Sequence, residues 1–314
     1  YGFYWFLLDP NRQEARFASH DLSDLPRLSV PDDWQVLLRG RGRAALERAL
    51  PTFLMRNRWY AGRQRTIRAV SLQDAVHVSS GRNRRATDRR SNGDSADAFL
   101  CIIHVDYTDG EADTYVVPLT VAPERKAEEL LADHPNAGVA WLDCQARVGT
   151  LLLYDAMVDP TFAQGTLEAF RRRRTFTSPS GAELRLRTTA EFRRAVTGDD
   201  DLTPHIPQVE QSNTSVIFGS KVVMKMFRRA QEGVNPDLEI GEFLTESAQF
   251  PHTAPLHGAM EYSRGKAEPR TLAVLNAYVP NEGDAWRYTL DALGLYYERA
   301  LTDLPDYAVV VPEW

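Results

Sequence analysis

The chain has 314 residues, 43% of them apolar and 25% charged, with 37 Lys and Arg against 43 Asp and Glu and a formal net charge of −6. That length and apolar content suit one or two globular domains, and the mild acidity argues against general nucleic-acid binding, which leaves a clustered basic face. No run approaches the roughly 20 apolar residues of a membrane span, and Cys101 and Cys144 give neither a metal-ligand spacing nor a disulfide framework, so a reduced, cytoplasmic setting is expected.

The opening Tyr1-Gly2-Phe3-Tyr4-Trp5-Phe6-Leu7-Leu8 lacks the basic start and cleavage site of a signal peptide and reads as a strand already in progress. The apolar run 307–311 stops at Trp314 without a polar tail, so both ends read as cut and the gene is expected to continue in both directions. Residues 10–40 carry Pro26, Pro31 and scattered charges, a connector pattern with a boundary near residue 35. Ala44, Leu46, Leu50 and Leu54 predict a short amphipathic helix over 42–54, which leads into Asn57-Arg58-Trp59-Tyr60-Ala61-Gly62-Arg63. Residues 79–97, rich in Ser, Asn, Gly and Arg, have almost nothing apolar to bury and read as a solvated loop.

Two strand-like runs, 99–107 and 114–119, meet across Asp109-Gly110, a strong hairpin signal. Helices are predicted over 123–132 and 160–173, the second with Phe162, Leu167 and Phe170 on its apolar side and Pro160 in its first turn. It closes in Arg171-Arg172-Arg173-Arg174, cations that answer the helix dipole. Leu184 and Leu186 alternate with Arg185 and Arg187 as a strand, residues 191–196 read as helical, and Gly198-Asp199-Asp200-Asp201 marks a turn.

The chemistry concentrates after that turn. Two strands flank Gly219-Ser220, with the polar Gln211-Ser212-Asn213-Thr214-Ser215 before the first and Lys225 inside the second, Val222-Val223-Met224-Lys225-Met226-Phe227. A lysine among apolar neighbours needs an anionic partner, because an unpaired buried ammonium is costly. Kinases point such a lysine at nucleotide phosphates and at a glutamate of the next helix. Here Asn235-Pro236 opens a helix as N-cap and first residue, with Leu238, Ile240, Phe243 and Leu244 read as its apolar side. Glu239, 239 − 225 = 14 residues after Lys225, is the expected partner and Glu246 the reserve. The glycines of the protein-kinase phosphate loop are absent, but Ser and Asn with exposed backbone amides can hold phosphate oxygens. The strand over 271–279 runs into Pro280-Asn281-Glu282-Gly283-Asp284 and then a helical pattern over 285–301, the place of a kinase hinge, with backbone groups near Ala277, Tyr278 and Val279 meeting an adenine edge; an ordinary core strand and helix would read the same.

Taken together, Glu210-Gln211-Ser212-Asn213-Thr214-Ser215, Lys225 with Phe227-Arg228-Arg229, Asn235-Pro236-Asp237-Leu238-Glu239 and Val279-Pro280-Asn281 followed by Gly283-Asp284-Ala285-Trp286 resemble the maltokinase family of the aminoglycoside-phosphotransferase group. Residues 57–63 resemble the Arg-Trp-Phe-Gly-Gly-Lys signature of that family's N-terminal cap, and residues 1–10 the closing strand of a trehalose synthase, a fusion partner of this kinase. The resemblance implies an α+β chain: synthase strand 1–10, linker 11–38, cap 39–140 built on a curved antiparallel sheet with helices, connecting segment 141–205, and a protein-kinase-like N-lobe with hinge over 206–314. It further implies transfer of the γ-phosphate of ATP, with Mg²⁺, to maltose, giving maltose 1-phosphate for α-glucan synthesis from maltose supplied by the fused synthase. Ser212, Asn213 and Thr214 would form the phosphate loop, Lys225 would bind phosphates while paired to Glu239, and Asn276, Ala277, Tyr278 and Val279 would frame the adenine.

The family's His-Gly-Asp-Leu-His catalytic loop and its later Asp-Phe-Glu metal motif do not occur in these 314 residues. The expectation is therefore the nucleotide side of a kinase without its C-lobe, inactive alone, its metal ligands in that lobe. His257-Gly258-Ala259 lacks the acid and reads as a turn between strands. The alternatives are a kinase of the same fold for an aminoglycoside or another small alcohol, and a non-catalytic docking module for the synthase.

Overall fold

Leu46, Ala49, Leu50, Phe53 and Leu54 recur at three- and four-residue spacing and are all buried, so α1 (Arg43–Arg56) forms with one apolar stripe to cover. The sheet it covers follows. In chain order it comprises β1 (Arg27–Val30), β2 (Ile67–Val78), β3 (Ala98–Tyr107), β4 (Asp113–Pro123), then α2 (Glu124–Asp133), β5 (Gly138–Cys144) and β6 (Thr150–Asp155), arranged β1-β5-β6-β4-β3-β2. All pairs are antiparallel except β1 with β5, which is parallel. The computed structural model describes residues 25–31, 33–78, 97–145, 149–207, 212–283 and 285–302. The expected synthase strand 1–10 and all but the last residue of the Arg-rich loop 79–97 lie outside them.

β3 and β4 read as unbroken apolar runs because both faces of the sheet are covered. Cys101, Ile103, Val105, Val117 and Leu119 pack with α1 and Trp34, whereas Leu100, Ile102 and Val116 face a second core. That core is shared with α3 (Pro160–Arg171) and the other sheet. The second sheet holds β7 (Thr175–Thr177), β8 (Glu183–Thr188), then, after α4 (Ala190–Ala195), β9 (Pro204–His205), β10 (Asn213–Phe218), β11 (Val222–Phe227), and, after α5 (Pro236–Glu242), β12 (Leu256–Ser263) and β13 (Arg270–Ala277). It is fully antiparallel in the order β7-β8-β12-β13-β11-β10-β9.

The fold is mixed α+β, and it moves several expected boundaries. Residues 27–38 do not act as a connector: β1 adds to the sheet edge, and the 3-10 turn Trp34–Leu38 buries Trp34, Leu37 and Leu38. The boundary expected at 140 falls inside β5, and three strands of the segment expected to connect, β7, β8 and β9, belong to the second sheet. Such pairings join residues far apart in the chain, which local pattern does not encode. His257-Gly258 is not a turn but part of β12, where the register against β13 slips by one residue at a β-bulge between Leu256 and Gly258. Thr188 of β8 lies opposite Gly258, and a Cβ there would sit 2.3 Å from the Arg187 carbonyl oxygen, so this close approach needs glycine.

The chain divides after Tyr278 into two compact units. In the second, α6 (Ala285–Thr302) is a single helix whose Trp286, Tyr288, Tyr296 and Tyr297 are exposed. Among the described residues no helix is long and apolar enough to cross a membrane.

Candidate functional site

β10 and β11 form the predicted hairpin. Gly219 turns it at φ +52°, and a Cβ there would lie 2.0 Å from the Asp201 carbonyl oxygen, so both conformation and space select glycine. The register sets Ser215 opposite Lys225 and Asn213 opposite Phe227, and strand alternation then sorts the side chains. Val216, Phe218, Val222, Met224 and Met226 point into the shared core. Asn213, Ser215, Val223 and Lys225 take the opposite face.

On that face the Lys225 ammonium donates to Asp237 Oδ2 at 2.6 Å and lies 5.4 Å from the Phe227 ring. Glu239 is not its partner, and neither is Glu246; both are exposed and make no side-chain hydrogen bond or ion pair among the described residues. The rotation of α5 explains this. Leu238 is fully buried against Phe227, Leu256 and Val274, while about two turns on Thr245 Oγ1 accepts from the Leu256 N–H at 2.8 Å and Glu242 pairs with Arg187 of β8. Asp237 in the first turn then reaches β11, and Glu239, two positions on, points away, because helix positions two apart do not share a face. The expected apolar side is also revised: Ile240 and Phe243 are exposed. With side chains 36% and 47% exposed, the Lys225–Asp237 pair is a solvated one, worth about 0.2–1 kcal/mol. The lysine is therefore free to exchange its carboxylate for another anion.

The expected phosphate loop splits between two faces. Ser212 and Asn213 are solvent-accessible, with Asn213 Nδ2 3.5 Å from Ser212 Oγ. Thr214 turns the other way, and its Oγ1 accepts from Arg228 Nε at 2.7 Å. Of the expected hinge, Asn276 lies opposite Val223 and so on the Lys225 face, and Ala277 lies opposite Val222 on the core side. The N–H groups of Ala277 and Tyr278 are already spent on the carbonyls of Pro255 and Lys221, both at 2.9 Å. Val279 begins the second unit and is exposed. Among the described residues no group of three or more His, Cys, Asp or Glu side chains could hold a metal ion.

Sequence reasoning left Arg228 and Arg229 as motif letters without a role; the structure supplies one. Arg228 is 2% exposed. Its Nη2 donates to buried Asp155 Oδ2 at 2.5 Å, and its guanidinium carbon sits 4.8 Å from the Trp59 ring. Arg229 Nη2 reaches Asp113 Oδ1 at 2.6 Å. The backbone joins too: Val116 N–H bonds Arg228 O at 2.8 Å and Ala230 N–H bonds Thr114 O at 2.9 Å, so the end of β11 adds a bridge to the first half of β4, which β6 pairs only from Leu119 onward.

These contacts also account for residues 57–62. Asn57 Nδ2 donates to the carbonyls of Phe53 and Asn136, closing α1. Trp59 lies under Arg228, and the Tyr60 ring packs 5.1 Å from that of Tyr115. A Cβ at Gly62 would meet the Tyr107 and Tyr60 hydroxyls at 2.3 and 2.5 Å. Asp113 Oδ2 accepts from the Tyr107 and Tyr115 hydroxyls at 3.0 and 3.3 Å. Burial above all, with the negative Asp113 adding to it, pushes the Tyr115 phenol up to about 12, so it remains a neutral donor. The only signal available in sequence was the coexistence of an Arg-Trp-Tyr run with a Phe-Arg-Arg run.

Comparison with known proteins adds the following. Solved structures similar to this chain include glucosamine kinase in complex with glucosamine, ADP and inorganic phosphate, at 16% identity and a TM-score of 0.43 over 88% of this chain and 47% of that one. Glucosamine kinase in a second crystal form matches at 17% identity and a TM-score of 0.39, over 87% of this chain and 45% of that one. The chain thus spans a little under half the length of these structures. Residues 53–159, which hold Trp59, Tyr60, Gly62, Asp113 and Asp155, match the family model of the maltokinase N-terminal cap domain.

Proposed function

We propose that this chain is the nucleotide side of an ATP-dependent maltokinase, the intact protein transferring the γ-phosphoryl group of ATP to the anomeric hydroxyl of maltose to give maltose 1-phosphate. The observation that carries this reading is the cap match over 53–159 on a chain that also holds a strand lysine paired to the first turn of the next helix. The pairing is weak enough to yield to phosphate oxygens, which offer more charge than one carboxylate. Lys225 then holds the phosphates, the exposed Ser212 and half-buried Asn213 add donors beside it, and Asn276 and its neighbours frame the base. The carboxylate that accepts the sugar proton and the ligands of Mg²⁺ are assigned to a further lobe. A cis-acting trehalose synthase as the source of maltose, a cytoplasmic setting, and the absence of nucleic-acid or membrane partners complete the proposal.

The test uses the full-length gene product with maltose and ATP. Maltose 1-phosphate should form, and Lys225→Ala should lower its rate by orders of magnitude through lost charge stabilisation of the transferring group. Wild-type activity in Lys225→Ala would end the assignment, and turnover by the 314-residue chain alone would overturn the assignment of the catalytic carboxylate to a further lobe.

A further inference from the structure

We infer that Arg228 is a positioning residue through which the cap domain sets the geometry of the nucleotide face; the inference rests on the kinase reading for its functional consequence. The guanidinium is withdrawn from water, and the three groups around it belong to distant segments: Asp155 at the end of β6, Trp59 after α1, and Thr214 at the start of β10. A buried cation is tolerable only while its partners stay in place, so Asp155, itself buried, holds Arg228, and Arg228 holds Thr214. Thr214 directly precedes Ser215, which lies opposite Lys225, and directly follows Ser212 and Asn213. Arg228 itself lies three residues beyond Lys225, and its backbone is fastened to β4 by the bonds of the Val116 and Ala230 amides. One side chain thus pins both strands that carry the proposed phosphate contacts, from the face opposite the nucleotide, without touching it. Asp155 is also locked, since its Oδ1 accepts from the Met157 N–H at 3.0 Å. A shift of the cap sheet at Asp155 must therefore move the start of β10.

The rival account is an ion pair that only adds stability. Two variants separate them: Thr214→Val, which keeps the shape and removes the oxygen, and the pair Asp155→Leu with Arg228→Met, which replaces a buried ion pair by apolar bulk and so need not destabilise. In the 314-residue chain, amide exchange at Ser215 and Lys225 should accelerate in both while the β2 and β3 amides stay protected, and Thr214→Ser should restore the wild-type pattern. Titration with ATP and Mg²⁺, followed by amide resonances, should show affinity lowered on the order of tenfold in both, although the melting temperature of the double variant stays near wild type. Unchanged exchange at Ser215 and Lys225 overturns the coupling, whether or not ATP binds. Unchanged ATP affinity in both variants, with affinity lost in Lys225→Ala, overturns its functional consequence and leaves the kinase reading standing. Wild-type binding in Lys225→Ala instead sinks the kinase reading and leaves the exchange result to decide the coupling.

Discussion

His257 provides a sharp test of the packing around the bulge in β12. The ring is 1% exposed, its Nδ1 has no hydrogen-bond partner among the described residues, and Phe192 of α4 packs edge-on at 5.7 Å. Burial lowers its pKa from 6.5 to about 4, against a smaller opposing pull from Glu191. The folded state therefore keeps this histidine neutral where the unfolded chain protonates it. Between pH 6.5 and 4 the unfolded state binds more protons, so stability is fully present above 6.5 and falls as the pH drops. The span from 6.5 to about 4, at 1.36 kcal/mol per unit, amounts to about 3 kcal/mol. Urea denaturation of the wild type and of His257→Gln, which cannot titrate, at half-unit steps from pH 7.5 to 4 isolates the effect from the carboxylates common to both. The wild type should lose about 3 kcal/mol relative to the variant across that range. Parallel curves would mean that the ring is solvated or paired when protonated, and the bulge packing described above would be wrong.

Three further perturbations probe other parts of the structure. Asp237→Asn should cost under about 1 kcal/mol in urea, because the Lys225 pair is solvated, and Glu239→Gln should change neither stability nor ATP affinity; a large loss in either would show that α5 sits in another rotation. Gly258→Ala should destabilise by about 1–3 kcal/mol because the Arg187 carbonyl cannot retreat, whereas Gly198→Ala, with nothing within 4 Å of the new Cβ, should not destabilise; equal effects would refute the close approach. Asp74 Oδ2 accepts from Ser178, Ser180 and Tyr262 hydroxyls at 2.8, 2.9 and 2.8 Å, joining β2 to the second sheet. Asp74→Ala should therefore cost on the order of 3 kcal/mol and release both sheets together in amide exchange, and a neutral result would remove this link.

Much of the local architecture was legible in the residues. Asp109-Gly110 produced the β3–β4 hairpin, with Gly110 at φ +81°, and Gly219 the β10–β11 hairpin, because a positive φ leaves few alternatives to glycine. Asn235-Pro236 started α5 as expected, its Oδ1 accepting from the Asp237 N–H at 2.9 Å. Lys225 does lie inside a strand of apolar neighbours and does meet a carboxylate, but its side chain is half-exposed rather than withdrawn from water. Each of these follows from neighbours a few positions apart, where steric and hydrogen-bonding rules act directly.

What local chemistry did not reveal was the choice among equivalent partners. Asp237, Glu239 and Glu246 were all in reach of Lys225 by sequence distance; the burial of Leu238 and the bond from Leu256 to Thr245 fixed the helix rotation that selected Asp237. Phe227-Arg228-Arg229 stood only as part of a motif, yet Arg228 is among the most deeply buried side chains because Asp155, 73 residues away, is brought to it. A buried charge is tolerated only where its counter-charge and acceptors converge. That convergence arises only once two sheets have folded against one core.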